Sequence, residues 1–113
     1  MTAANYNLVI DQGSDFAVNL SIKEEGSAKD LTGYSARAQL RSTKTSSTLA
    51  ASFTCTVLSP ASNGNIKMAL PNSVSTDMSA GLYYYDLEIY NSGETVVQRL
   101  LQGEVTLNQE VTR

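Results

Sequence analysis

The chain has no histidine and no tryptophan, a single cysteine, two prolines and two phenylalanines among its 113 residues. Each shortage removes chemistry. Without histidine the chain lacks both the commonest general base and the commonest metal ligand. A lone cysteine cannot close an internal disulfide, and no metal-spaced thiol set exists. Cys55 sits in Phe53-Thr54-Cys55-Thr56-Val57, on the parity of Phe53 and Val57, and reads as a small buried hydrophobe. No run approaches the roughly 20 apolar residues of a membrane span. Met1-Thr2-Ala3-Ala4-Asn5 has no basic region and no apolar stretch, so no signal peptide is expected. A start methionine with a domain beginning at about Tyr6 reads as a complete small protein. The net charge is −3 and the basic residues are scattered, which lacks the basic face that nonspecific nucleic-acid binding needs. No glycine-rich phosphate loop or serine nucleophile elbow appears, and no cofactor is implied.

What the chain does have is alternation. Short strands separated by turn signals at intervals of about 8–12 residues are the mark of a sandwich or barrel. Strands are expected over residues 7–10, 16–22, 34–41, 49–57, 66–70, 81–90, 95–101 and 103–107. Asp11-Gln12-Gly13-Ser14, Glu24-Glu25-Gly26-Ser27, Asp30-Leu31-Thr32-Gly33, Asn63-Gly64 and Asn91-Ser92-Gly93 supply the turns. Residues 42–48 form a polar loop. Residues 71–80 are the one helix-like segment, with Val74 and Met78 four apart on one side of a single turn. Gly103 suggests a bulge or bend that splits a long strand.

The clearest strand is Gly81-Leu82-Tyr83-Tyr84-Tyr85-Asp86-Leu87-Glu88-Ile89-Tyr90. Tyr83, Tyr85, Leu87 and Ile89 share the core face, and Leu82, Tyr84, Asp86, Glu88 and Tyr90 share the other. Its Gly-x-Tyr-x-Tyr lead-in resembles the tyrosine corner of immunoglobulin-like sandwiches, with Tyr85 where antibody domains carry cysteine. On the outer face Asp86 and Glu88 are the only plausible reactive pair. They read as partners for Arg37, Arg41 or Arg99 on neighbouring strands, with an acid–base pair for glycoside hydrolysis as the alternative. Asp11, Asp15, Glu24, Glu25 and Asp30 match no calcium loop and read as solvated turn residues. Asn19-Leu20-Ser21 is a formal glycosylation sequon, discarded because it lies mid-strand. Leu82, Tyr84 and Tyr90, with the Arg37 and Arg41 stripe, are the candidate interface. Coverage of the strand ends by loops is the other reading of the same apolar groups.

Five motifs occur in order: Ile10-Asp11-Gln12-Gly13-Ser14-Asp15-Phe16; Asp30-Leu31-Thr32-Gly33-Tyr34-Ser35-Ala36-Arg37-Ala38-Gln39-Leu40-Arg41; Gly64-x-Ile66; Ala80-Gly81-x-Tyr83-x-Tyr85-Asp86-Leu87; and Gly103-x-Val105. From about Asn7 to Thr112 the chain resembles a family of small tailed-phage virion proteins. It is similar, more loosely, to the immunoglobulin-like N-terminal domain of phage upper-baseplate and fibre-adaptor proteins. The resemblance implies a particle building block with no catalytic residues to carry over. The adaptors continue into a fibre or trimerisation region, whereas this chain stops at Arg113, so a stand-alone tail, baseplate or neck component, or a capsid decoration protein, is implied.

The expectation is therefore an all-β, immunoglobulin-like antiparallel β-sandwich of about seven or eight strands with one short helical turn, as a single domain over residues 1–113. A non-enzymatic virion structural protein is expected, contacting other virion proteins in multiple symmetric copies, without nucleic acid or membrane. Its rivals are a capsid decoration protein, a carbohydrate-binding module stacking a sugar on Tyr84 or Tyr90, and a glycoside hydrolase using Asp86 and Glu88.

Overall fold

Nearly every stretch of period-two alternation is a strand in the computed structural model, which describes residues 3–111. Met1, Thr2, Thr112 and Arg113, the ends of the domain expected over residues 1–113, lie outside the described residues. The strands are β1 (Ala4–Asn5), β2 (Leu8–Asp11), β3 (Phe16–Ser21), β4 (Lys23–Glu24), β5 (Ser27–Ala28), β6 (Tyr34–Arg41), β7 (Ala51–Val57), β8 (Asn65–Leu70), β9 (Gly81–Asn91) and β10 (Val97–Asn108). A 3-10 turn, Ala61–Asn63, precedes β8, and a five-residue helix, α1 (Asn72–Thr76), precedes β9.

Eight of the strands follow one path, β1-β10-β9-β6-β7-β8-β3 with β2 also on β10, and β4 and β5 pair separately as a two-stranded sheet. That path curls into two layers because β7 changes partner midway. Its Ala51, Ser52 and Phe53 pair with β6, and its Thr54 to Val57 pair with β8. Phe53 sits at this corner. Its ring centroid lies 6.2 Å from Phe16 on β3 and 6.0 Å from Tyr85 on β9, so one side chain fastens both layers. Between them Leu40, Ile66, Met68, Leu70, Leu87 and Ile89 are fully buried, each contributing about 1.5–3 kcal/mol of transfer free energy. Leu31 is fully buried too; it projects from a turn, where alternation carries no signal.

Three features depart from the sequence expectation in detail. β10 is one strand, not two, and its irregularity lies at Leu100: the register steps from Arg99↔Glu88 to Leu101↔Leu87. The extra residue flips the side-chain parity, so Leu100 and, further on, Val105 and Leu107 all reach the core. Gly103 is in register with Tyr85. It is needed for close approach, since a Cβ there would lie 2.4 Å from the Tyr6 carbonyl oxygen. Finally, β1 and β2 pair with β10 in parallel, while the other pairs are antiparallel.

The turns follow their residues. Glu25 and Gly26, both at positive φ (53° and 82°), join β4 to β5 as a two-residue hairpin. Asp30 Oδ1 accepts the Thr32 amide at 3.0 Å and the Thr32 hydroxyl at 2.6 Å, which holds its pKa below the ordinary value. Asp15 Oδ1 accepts both the Asn72 amide and its Nδ2, each at 2.8 Å, and so anchors the start of α1. Val74 and Met78 both pack against the core, as their spacing implies.

Candidate functional site

The outer face of β6, β9 and β10 carries every residue singled out as a candidate interface. Alternation sends Arg37, Gln39 and Arg41 of β6 outward, and Leu82, Tyr84, Asp86, Glu88 and Tyr90 of β9 likewise. The register then arranges them in rows. Ser35, Tyr90 and Val97 form one row; Arg37, Glu88 and Arg99 the next; Gln39, Asp86 and Gln102 the third; Arg41, Tyr84 and Glu104 the fourth. Leu82 continues the series beside Thr106, and beyond it stands Val9 of β2. The face is charged at its centre and apolar at both ends.

The charges at its centre are paired. Arg37 Nε donates to Glu88 Oε1 at 3.0 Å, and its NH1 donates to Glu94 Oε1, from the β9–β10 turn, at 2.9 Å. These two bonds hold the guanidinium pKa above its ordinary value. Arg99 Nε meets Asp86 Oδ2 at 3.2 Å. Arg41 makes no ion pair among the described residues; it donates to Gln39 Oε1 at 3.0 Å and to the Ser46 carbonyl at 3.3 Å. Partial burial between the flanking strands pushes the Asp86 carboxyl up, against the opposing pull of Arg99. Each member of the Asp86 and Glu88 pair is thus engaged by an arginine, the cross-strand arrangement that the sequence suggests. Among the described residues no group of three or more acidic or cysteine side chains converges as a metal site would require.

The tyrosines are only half exposed, and for a reason. The Arg37 guanidinium lies 4.5 Å from the Tyr90 ring centroid, and the Lys44 ammonium 5.5 Å from that of Tyr84. Both are within cation–π range. Lys44 belongs to the polar loop after β6, so part of this loop folds back over the face. A sugar stacking on either ring would compete with a cation already seated there. Leu82 is different: it is 47% exposed, with Val9 at 64% nearby in the same row. Together Arg37, Arg41, Lys44, Tyr84, Asp86 and Gln102 help line a shallow, open concavity of about 770 Å³.

Two more tyrosines act from the core side. Tyr83 donates its hydroxyl to the Ser79 carbonyl at 2.6 Å, four residues upstream, which is the bond a tyrosine corner makes. Tyr85 donates to the Tyr6 carbonyl at 2.6 Å. Cys55 is half-buried against the core, and burial pushes its thiol up to about 11. The acidic residues of the first third of the chain go separate ways: Asp11 accepts from Asn108, Glu24 pairs with Lys29 at 2.8 Å, and Asp15 and Asp30 hold turns.

Sequence reasoning missed Val9, Val97, Lys44 and Glu94 as members of this face. Val9 had a signal, since it alternates with buried Leu8 and Ile10. Its place in the Leu82 row needs the β2–β10 register, which alternation does not supply.

No protein-family model matches the chain, and no curated protein matches it. Solved structures do. The chain is similar to the N-terminal domain of phage TP901-1 ORF48, at 14% identity and a TM-score of 0.56, over 96% of this chain and 99% of that one. It is similar to Listeria monocytogenes InlP at 14% identity and a TM-score of 0.50, over 94% of this chain but 28% of that one. A family 123 glycoside hydrolase from Clostridium perfringens follows at 11% identity and a TM-score of 0.45, over 100% of this chain and 24% of that one. At 14% identity the shared property is the fold: the chain has, over nearly its full length, the β-rich architecture of the phage TP901-1 ORF48 N-terminal domain.

Proposed function

We propose that this chain is a non-enzymatic structural protein of a bacteriophage particle, acting through protein–protein contacts as a tail, baseplate or neck component. The observation that supports the reading is the end-to-end match to a phage domain: the alignment covers 96% of this chain and 99% of the ORF48 domain. The face described above fits a contact role. Asp86 and Glu88 are tied to arginines, the Tyr84 and Tyr90 rings carry cations, and exposed Leu82 and Val9 flank Thr106 in one row. Aromatic and arginine side chains of this kind are enriched at interfaces.

Immunogold electron microscopy of intact virions, with mass spectrometry of the purified particle, tests the proposal. Label at the tail tip or neck is the expected result. Label over the head would replace it with capsid decoration. Absence of the chain from the particle by both methods would refute the structural role.

A further inference from the structure

Among the described residues the path of the eight-stranded sheet ends at two edges. One is made of β1 and β2, two short strands interrupted at Tyr6 and Asn7. The other is β3, which pairs with β8 on one side only. Protein edges are ordinarily blunted by charge, proline or a bulge. From Phe16 to Ser21, β3 has none of these, and its register with β8 is unbroken. The Ile22 amide donates to Gly64 on the β8 side, and its carbonyl accepts the Lys29 amide on that side. Even-numbered residues therefore direct their backbone groups toward β8 and β5, and Ala17, Asn19, Ser21 and Lys23 direct theirs to the open side. Phe16, Val18 and Leu20 point inward and pack on the core, yet stay only half-buried.

We infer that a second copy of this chain completes this edge, β3 against β3, antiparallel across a two-fold axis at Asn19. Charge selects the occupant and the register. Outward-directed residues must face one another, and the pairing centred on Asn19 sets Ala17 opposite Ser21 and Asp15 opposite Lys23, twice by symmetry. A shift by one pair in one direction sets Asp15 against Ser21; in the other it sets Asp15 against Glu25, acid against acid. Of these three registers, the central one alone brings opposite charges together. Both groups are exposed. The two bonds that Asp15 makes to Asn72 fall on Oδ1, which leaves Oδ2 to accept the partner copy's lysine. Lys23 forms no ion pair among the described residues. On the inner face Phe16 meets Ile22 and Val18 meets Leu20, apolar pairs at the sites where facing side chains come closest.

Sedimentation equilibrium of the full chain from micromolar to millimolar concentration is the test. A monomer–dimer equilibrium is expected. Lys23→Glu turns both ion pairs into like-charge pairs and raises the dissociation constant about tenfold at low salt. Asn19→Pro removes the central amide at an edge position where proline is tolerated; it abolishes the dimer while circular dichroism retains a cooperative melt. A monomer at every concentration, or a dimer that Lys23→Glu leaves unchanged, would overturn the inference. The phage reading is decided separately, by particle composition, so either can fail alone.

Discussion

The hydroxyl of Tyr85, in the middle of β9, reaches the carbonyl oxygen of Tyr6 between β1 and β2, 2.6 Å away and 79 residues distant in the chain. That bond ties the start of the domain to its central strand. It crosses β10 just where Gly103 stands, in register with Tyr85 and against the Tyr6 backbone. A short side chain at Gly103 and a long one at Tyr85 are two halves of one arrangement.

Tyr85→Phe keeps the ring against Phe53 and deletes only the hydroxyl. It is expected to cost about 1–2 kcal/mol, the loss of one buried hydrogen bond with its acceptor left behind. Urea unfolding of the two proteins measures this. Hydrogen exchange in the variant should quicken first near Tyr6.

Gly103→Ala tests the close approach. Its Cβ would fall 2.4 Å from the Tyr6 oxygen and 2.8 Å from the Tyr6 carbonyl carbon, so backbone must move. A loss of about 1–3 kcal/mol is expected, the ordinary cost of overpacking. A thermal melt equal to that of the parent protein would contradict the geometry.

Alkaline stability should fall in a defined window. Burial pushes the Cys55 thiol from 9.0 to about 11 and, as the main cause, the Tyr85 phenol from 10.0 to about 12. Both folded values lie above the unfolded ones, so the unfolded chain loses its protons first. Stability is then full below pH 9 and declines as pH rises through 11 and 12. Urea midpoints across this range check it, and Cys55→Ala should remove the lower part of the decline. At pH 8 iodoacetamide should label Cys55 far more slowly in the folded than in the unfolded protein.

Leu82→Arg separates contact from stability. Leu82 is 47% exposed, so its replacement should change stability by no more than about 0.5 kcal/mol. If the outer face of β9 docks in the particle, incorporation of the variant into virions should drop while its melting temperature stays. Quantitative mass spectrometry of particles assembled with the variant reads this directly.

Much of the fold is written in local pattern. The faces of β9 follow from alternation alone, and Tyr83 and Tyr85 enter the core as their parity requires. The Arg37, Gln39 and Arg41 stripe is equally local, as are the tight turns at Glu25-Gly26 and Asp30-Gly33. Within the candidate site, the membership of Leu82, Tyr84, Asp86, Glu88 and Tyr90 was legible for the same reason: a strand has two faces and a period of two. Their partners were not. That Glu88 meets Arg37, and Asp86 meets Arg99 in place of Arg41, depends on register.

By itself, then, the sequence determined the strand content, the turns, the inward and outward faces and the absence of histidine. These are properties of residues and their near neighbours, set by side-chain chemistry and backbone preference. The tertiary structure decided the parallel pairing of β2 with β10, the exchange of partners within β7, the parity flip at Leu100 and the cations over Tyr84 and Tyr90. Each of these joins segments far apart in the chain. Their free energy comes from contacts between such segments, and no local pattern carries that information.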